Sequence, residues 1–405
     1  MRRDPVVEKY LARYAEPEAR LAELDGLREH GPWTYALTIP ARRETIACLG
    51  AGAAPSERDS VLTVLVVNAS EAAADREAGA LLMEAIEAMA PARWSAPGLS
   101  LHPLAAGDLL LVDRCSGARA FGPRDGVGLA RKLGADLITW LIAAGRIRSA
   151  WIHTTDADAT LPAEHFERVA SLERGAAVAP FRHVAGGDLA IDEATLRYEA
   201  SLHYYVEGLR RAGSPYAFHT IGSLISVACS SYAQVRGFPR RQAGEDFYML
   251  NKLAKLGPIH RLEGAPVEIR ARRSTRAPFG TGPAVEAQLA GQPLRVYDPR
   301  VFGVLGEALR GLELFAETGD SAALLELARA HAKVAELRSW ADGARELANR
   351  YPQAQLRNRF TEHFDGFRTL KLIHALTEQW PKLGWDRVAN GASATRARLG
   401  AGTAP

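Results

Sequence analysis

Apolar residues in the first part of the chain fall in short runs that end in polar turns. Residues 33–39 form one such run, and residues 61–68 form a second that is almost entirely aliphatic. A run of this kind is typical of a strand buried on both faces of a parallel sheet. Helical spacing follows at residues 71–89. The repeated order of strand, turn and helix predicts a doubly wound α/β fold.

Towards the C-terminus, helical spacing of apolar residues replaces the short runs. We therefore expect an α-helical appendage over residues 295–395, and a disordered tail of small and polar residues at 396–405. Within residues 1–30 the apolar positions predict two amphipathic helices that pack on the core. The α/β domain is expected to occupy residues 31–290.

The stretch of residues 151–158 begins as an apolar strand and ends in Asp156 and Asp158. If the strand continues through them, both side chains point the same way, because side chains alternate along a strand. Two carboxylates with no lysine nearby suit a hard divalent cation that holds phosphate oxygens. In a chain of this length about one such triplet is expected by chance, so its neighbours decide its meaning.

Polar residues follow other predicted strands as well. Ligands of doubly wound folds bind at the carboxyl ends of the strands, which places Glu44, Asn68 and Asp156 on one rim. Glu245 and Asp246 begin a later helix, and the intervening chain is long enough to return to the same rim. Acidic residues are also stabilised at helix N-termini, so capping is the structural alternative for this pair.

Two groups of cations are candidates for holding phosphate. Arg131 and Lys132 lie on the first turn of a predicted helix, and residues 270–276 form an arginine-rich loop followed by glycines. Guanidinium groups and the backbone amides of glycine-rich loops both bind phosphate oxygens. Solvated cations on an exposed face are the alternative at both places.

Composition and charge exclude some classes of protein from the possible functions of this chain. The 47% hydrophobic and 24% charged residues are those of a globular chain, and a formal charge of +3 without a long basic run argues against nucleic acid. No apolar stretch is long enough to span a bilayer and no signal core follows the N-terminus. We expect a cytoplasmic protein, with peripheral association at the inner face of a membrane left open. The three cysteines lack metal-binding spacing and are expected to be buried thiols.

Five short segments follow one another along the chain: Pro40-Ala41-Arg42-Arg43-Glu44, the turn at Asn68, the helix start from Gly128 to Gly134, Asp156-Ala157-Asp158, and Gly244-Glu245-Asp246. In this order they resemble motifs of family 2 glycosyltransferases, which have the GT-A fold. The resemblance covers residues 35–285. It implies a doubly wound mixed sheet flanked by helices and the transfer of a sugar from a nucleotide-diphosphate sugar.

The resemblance also implies which residues bind the donor. Asp158 would bind the metal, Mn2+ or Mg2+, directly, and Asp156 would reach it through water or contact the ribose. Glu44 and Asn68 would contact the nucleoside, although aspartate is more common at the second position. The expected donor-binding residues are Pro40, Arg42, Glu44, Asn68, Arg131, Asp156, Arg273 and Arg276. The last two come from the loop where many GT-A enzymes supply a histidine ligand, and we expect that loop to take part of the diphosphate charge.

On the acceptor side, the resemblance implies that Asp246 is the general base and that Glu245 positions the acceptor, a carbohydrate or a small hydroxyl compound. By position, His219, Gly222 and Ser223 would line the acceptor pocket. In-line attack opposite the diphosphate would invert the anomeric centre.

Three other functions stay open at this point. The first is a retaining transferase of the same fold that acts on a small acid. The second is a sugar-phosphate nucleotidyltransferase, which needs a glycine-rich phosphate loop after the first strand, unlike the Pro40 to Glu44 segment. The third is a non-catalytic protein that binds nucleotide-sugars.

Overall fold

The computed structural model of the chain describes residues 4–51, 60–274, 276 and 278–388. The predicted tail at residues 396–405 lies outside the described residues. The chain forms two compact units, one of Met1–Gly186 with Thr220–Ala271 and one of Gly187–His219 with Arg272–Pro405.

The elements follow one another as short strands and helices. The strands are β1 (Tyr35–Ala41), β2 (Val61–Asn68), β3 (Trp94–Ala96), β4 (Leu99–Leu104), β5 (Gly107–Arg114), β6 (Trp151–Thr154), β7 (Ala159–Thr160), β8 (Ala176–Val178), β9 (Phe181–Val184), β10 (Ile225–Ala228), β11 (Ile259–Arg261), β12 (Val267–Arg270), β13 (Arg295–Val296) and β14 (Leu383–Gly384). The α-helices are α1 (Pro5–Arg13), α2 (Ala73–Met89), α3 (Val127–Ala143), α4 (Leu189–Arg211), α5 (Cys229–Gln234), α6 (Glu245–Leu253), α7 (Thr281–Leu289), α8 (Pro299–Thr318), α9 (Ala322–Ala330), α10 (Ala335–Arg350), α11 (Gln353–His363) and α12 (Gly366–Leu376).

A large mixed sheet forms the centre of the first unit. Among the described residues its strand order is β11-β8-β10-β6-β1-β2-β5-β4-β3. The strands β1, β2, β5 and β6 run parallel, while β4 and β10 run opposite to their neighbours. The sequence predicts a mixed α/β sheet flanked by helices, and the structure confirms this fold class.

Strand β2 is buried along its whole length, as its aliphatic pattern predicts. The helix α3 packs on β1 and β2, and nearly all of its residues are buried. At Gly134 a side chain would overlap the Thr38 hydroxyl of β1, so the absence of a side chain lets the helix lie close on the sheet. Close packing of α3 fixes the position of the residues at its first turn.

The N-terminal segment combines one α-helix with two 3-10 segments. Asp4 caps α1 by accepting a hydrogen bond from the Val6 amide, and Pro5 occupies the first helical position. The residues that follow form 3-10 turns at Pro17–Arg20 and Ala22–Glu29. Of the two helices expected in residues 1–30, the first is the α-helix α1, and two 3-10 segments take the place of the second.

A buried polar network attaches the N-terminal segment to α3. The Asp136 carboxylate of α3 accepts hydrogen bonds from Tyr10 (2.5 Å), Tyr232 (2.7 Å), Lys132 (2.8 Å) and the Glu16 amide (2.7 Å). A buried carboxylate is tolerated only when its lone pairs are satisfied in this way.

The second unit is mostly helical. Leu209 of α4 and Ala212, which follows the last residue of that helix, belong to the same apolar core as Val301 and Leu305 of α8. For this reason residues 187–219 group with the C-terminal helices, although they lie inside the 31–290 segment that the sequence pattern assigns to one domain. In the described part of the chain, no helix has the length and apolar character needed to cross a membrane.

All three cysteines are buried and lie in the first unit. Cys48, Cys115 and Cys229 are free thiols, as their irregular spacing predicts. Burial raises the pKa of the Cys48 and Cys229 thiols to about 12.

Candidate functional site

The carboxyl ends of the parallel strands meet at one edge of the large sheet. The strands β1, β2 and β6 run parallel, so their carboxyl ends lie at the same edge. Asn68 is the last residue of β2, and Glu44 and Asp156 come shortly after the ends of β1 and β6. The structure therefore confirms the predicted rim. Asn68 is buried, and its side-chain oxygen accepts no hydrogen bond from the described residues. A buried acceptor without a partner is a group that a ligand N–H can satisfy.

A buried carboxylate holds the turn after β1. Asp75, on the first turn of α2, accepts hydrogen bonds from Arg42 (2.8 Å), Arg43 and Ser70 (2.6 Å), and Arg43 takes the left-handed conformation at φ 53°. Burial of Asp75 opposes ionisation, but the hydrogen bonds from Ser70 and Arg42 outweigh it and lower its pKa to about 2. Asp75 is not among the site residues that the sequence pattern predicts. An acidic residue on the first turn of the helix after a strand is the signal that could have found it.

Asp156 and Asp158 lie in a turn, so the expectation of a continuing strand is wrong. The strand β6 ends at Thr154, and the Ala159 amide then donates to the Asp156 carbonyl at 3.1 Å. The Arg270 amide donates to the Asp158 carbonyl at 2.9 Å, which attaches the turn to β12. Alternation along a strand therefore does not relate the two side chains.

Arg131 joins the two carboxylate motifs. Its guanidinium group forms ion pairs with Asp156, on the turn after β6, and with Glu245, the first residue of α6. The side chains of Arg131 and Glu245 are 3% and 2% exposed, whereas that of Asp156 is 34% exposed. The structure thus brings the predicted donor side and the predicted acceptor side together around one buried cation.

Gly222 and Ser223 complete the surroundings of this cation. Ser223 donates to the second oxygen of Asp156 at 2.5 Å, and Thr154 donates to the Gly222 carbonyl at 2.5 Å. A side chain at Gly222 would overlap the Arg131 guanidinium, so the backbone there lies directly against it. The acceptor-lining role expected for Gly222 and Ser223 stays a prediction, and both contribute to the position of the Arg131–Asp156 pair.

Asp246 follows Glu245, the partner of Arg131, on the first turn of α6. Burial raises the pKa of Asp246 to about 6; the Asp156 charge adds to the rise, while Arg131 and the Phe247 amide oppose it. The Phe247 amide donates to the Asp246 carboxylate at 2.7 Å. A carboxylate whose pKa is closer to neutrality is better suited to accept a proton at neutral pH.

Lys132, the neighbour of Arg131, faces a different part of the first unit. Its ammonium group donates to Asp136 (2.8 Å), to the Tyr10 hydroxyl (2.7 Å) and to the Tyr14 carbonyl (2.9 Å). Of the two cations expected on the first turn of α3, only Arg131 lies at the carboxylate site.

His219, Arg273 and Arg276 belong to the second unit. The His219 ring contacts that of His203, and burial lowers the pKa of His219 to about 4. Arg273 forms an ion pair with Glu286 of α7 at 2.6 Å. Their expected roles in binding acceptor and diphosphate stay predictions.

The metal site expected at this edge stays a prediction, and carboxylates are the type of ligand that a divalent cation of this kind takes. Among the described residues, no three His, Cys, Asp or Glu side chains form a cluster that could hold a metal ion. Mg2+ and Mn2+ bound with a nucleotide commonly take one or two carboxylates and complete their shell with phosphate oxygens and water. Asp156 already engages Arg131 and Ser223, so a cation that binds Asp156 has to compete with both partners. The direct ligation expected of Asp158 stays a prediction.

A cavity of about 330 Å³ lies at the opposite edge of the sheet. Trp33, Arg93 and Asp108 are among its lining residues, and Asp108 accepts hydrogen bonds from Trp33 (2.6 Å) and Arg93 (2.5 Å). These three side chains pair with one another near the amino ends of the strands. We therefore assign the candidate site to the carboxyl edge.

No protein-family model matches the sequence, and no curated protein matches it. Residues 1-349 of S. aureus TarS in complex with UDP-GlcNAc have a TM-score of 0.37 and 10% identity, over 81% of this chain and 90% of that chain. The mannosyltransferase PcManGT from Pyrobaculum calidifontis in complex with GDP-Man and Mn2+ has a TM-score of 0.35 and 16% identity, over 93% of this chain and 98% of that chain. Similarities this weak carry no argument about activity. The geometry of the chain itself defines a mixed α/β protein with a carboxylate site at the carboxyl edge of its sheet.

Proposed function

We propose that the protein is a glycosyltransferase of GT-A type, which moves a sugar from a nucleotide-diphosphate sugar to a hydroxyl of a carbohydrate or small acceptor. The observation that carries the proposal is the junction at Arg131. It brings Asp156, from the motif expected to bind the donor, next to Glu245 and Asp246, from the motif expected to bind the acceptor. A transferase needs these two groups on either side of one sugar.

In the proposed reaction Asp246 is the general base. The acceptor hydroxyl gives its proton to the Asp246 carboxylate while its oxygen attacks the anomeric carbon of the donor sugar. The bond from that carbon to the diphosphate oxygen breaks, and its electron pair leaves with the diphosphate. Attack opposite the leaving group inverts the anomeric centre. A pKa of about 6 keeps Asp246 ionised at neutral pH and still basic enough to accept the proton.

The donor occupies the carboxyl edge of β1 and β2 in this proposal. Glu44 and Asn68 contact the nucleoside, with the unpaired oxygen of Asn68 as an acceptor for an N–H of the base. Pro40 lies near the end of β1, and Arg42 belongs to the turn after β1 that Asp75 holds in place. A divalent cation bound by Asp158 would neutralise charge on the departing diphosphate.

The first experiment is a thermal-shift panel of UDP- and GDP-sugars, with and without MnCl2, because a ligand that binds only the native state raises its melting temperature. Release of nucleoside diphosphate is then measured with candidate acceptors. We expect Asp246→Asn to keep the donor-induced shift and to lose turnover by about 100-fold or more, since it removes the base. Asp25→Asn, at an exposed ion pair, is the matched control and should change neither quantity.

The outcomes separate the proposal from its alternatives. Turnover that persists in Asp246→Asn would exclude Asp246 as the base. A product with retained anomeric configuration, seen by NMR, would assign the retaining mechanism. Donor binding without release of nucleoside diphosphate in any acceptor mixture would indicate a nucleotide-sugar-binding protein.

A further inference from the structure

The charged guanidinium group of Arg131 lies between two carboxylates that differ in their exposure to solvent. An arginine does not lose its proton in a protein, so its charge is present at every working pH. Its pair with Glu245 is buried on both sides, while its pair with Asp156 is partly exposed through the carboxylate. The two ion pairs therefore differ in how readily an incoming ligand can replace one of the partners.

The buried pair is the permanent one. A buried carboxylate that loses its counter-ion is strongly disfavoured, so Glu245 keeps Arg131 in place. The Gly222 backbone lies against the guanidinium and removes the space into which it could swing. Arg131 is thus held by groups that have no need to move when the donor binds.

The exposed pair is the exchangeable one. Asp156 is 34% exposed, and its two oxygens engage Arg131 and Ser223. The same carboxylate belongs to the motif proposed to face the cation and the diphosphate. A cation that approaches Asp156 has to draw it away from Arg131, at the cost of a charge-assisted hydrogen bond.

We propose that Arg131 is a positioning residue that competes with the divalent cation for Asp156. It holds the donor-side carboxylate next to the acceptor-side carboxylate in the unliganded protein, and it weakens cation binding until a nucleoside diphosphate adds its own oxygens. The inference rests on the proposed function. It makes the cation site dependent on the donor, through a residue that touches no metal.

The test measures Mn2+ affinity instead of turnover. Free Mn2+ is followed by its electron paramagnetic resonance signal, with MnCl2 alone and with UDP or GDP, whichever raises the melting temperature of the wild type. The informative variant is Arg131→Met combined with Glu245→Gln, which releases Asp156 without leaving a buried carboxylate unpaired. We expect this variant to bind Mn2+ alone about tenfold more tightly, the size of one charge-assisted hydrogen bond.

Three variants control for other effects. Lys132→Met removes the neighbouring buried cation, which does not contact Asp156, and should leave Mn2+ affinity unchanged. Arg131→Lys keeps a positive charge at this position, so its Mn2+ affinity should be much closer to that of the wild type than to that of the double variant. Asp158→Asn, added to the double variant, should abolish the tighter binding if it occurs at the proposed site.

Unchanged or weaker Mn2+ affinity in the folded double variant would overturn the inference, as would equal tightening in Lys132→Met. Failure of the proposed function looks different. In that case the wild type would show no melting-temperature shift with any nucleotide-sugar, UDP or GDP, in the presence of MnCl2.

Discussion

Asp75 holds two arginines of the turn after β1, and its contribution to stability can be measured. Its carboxylate is buried and its pKa is lowered to about 2, so ionisation is more favourable in the folded protein than in the unfolded chain. Stabilisation from a carboxylate of this kind is complete above its unfolded-state pKa of 3.8 and is lost as the pH falls towards 2. We expect Asp75→Asn to lower the free energy of unfolding by about 2 kcal/mol at pH 7.

Urea unfolding at pH 7 measures this loss. The control is Asp25→Asn, whose exposed pair with Arg28 should contribute less than about 0.5 kcal/mol. If the free energy of unfolding falls by a similar amount in both variants, the ion pairs of Asp75 stabilise the protein no more than an exposed ion pair does.

His153 and His165 form a buried pair whose protonation opposes folding. Their ring centres are 5.4 Å apart, and His153 shares a hydrogen bond of 2.9 Å with Ser226. Burial lowers the pKa of His165 to about 4, with a further decrease from Arg168, and lowers that of His153 well below its usual value. The unfolded chain therefore binds more protons between pH 6.5 and about 4, and stability falls as the pH decreases through that window.

We expect His165→Phe to reduce this pH dependence. Each histidine of the pair contributes up to about 1.4 kcal/mol per pH unit to the slope of the unfolding free energy, and the variant removes one of them. Urea unfolding between pH 7 and pH 4.5 compares the two slopes. Identical slopes would show that His165 does not titrate differently in the folded and unfolded states.

At the scale of elements, the fit between α3 and the sheet depends on one position without a side chain. Gly134→Ala places a methyl group against Thr38, so we expect a loss of about 1–3 kcal/mol in the free energy of unfolding. Gly303→Ala in α8 is the matched control. Among the described residues, no atom outside the adjacent backbone of that helix lies within 4 Å of the added methyl group. Helix propensity alone should therefore stabilise that unit by about 0.5–1 kcal/mol. Opposite signs in urea unfolding are the expected result, and stabilisation by both variants would contradict the close packing.

The same helix shows what the sequence could predict. The pattern of apolar residues predicted β1, β2, β6 and α3 but not β3, β4 and β5. The carboxyl ends of parallel strands share one edge of a sheet, which gave the position of the site. The partner of Lys132 was also accessible, since Asp136 follows four residues later on the same helix. The partners of Arg131 were not, because Asp156 and Glu245 lie 25 and 114 residues away and reach it only through tertiary packing. The turn at Asp156 was missed because an apolar run shows that a strand exists more clearly than it shows where the strand ends.

At the scale of the whole molecule, sequence order does not follow the division into units. A helical period indicates that α4 has a buried face but does not say what covers it. In the structure Leu209 of α4 shares a core with Phe302 and Leu312, about a hundred residues later. Residues 187–219, which lie inside the α/β part of the sequence, therefore belong to the helical unit. The segment 31–290 contributes residues to both units.

The location of the cysteines makes thiol chemistry a selective reporter of opening. Cys48, Cys115 and Cys229 all lie buried in the first unit, and the chain contains no other cysteine. A thiol reagent added at increasing urea concentration should therefore label the protein only when that unit opens, whatever the helical unit does. If labelling and the loss of helical circular dichroism follow different urea dependences, the two units unfold independently. Coincident curves would show that they unfold as one.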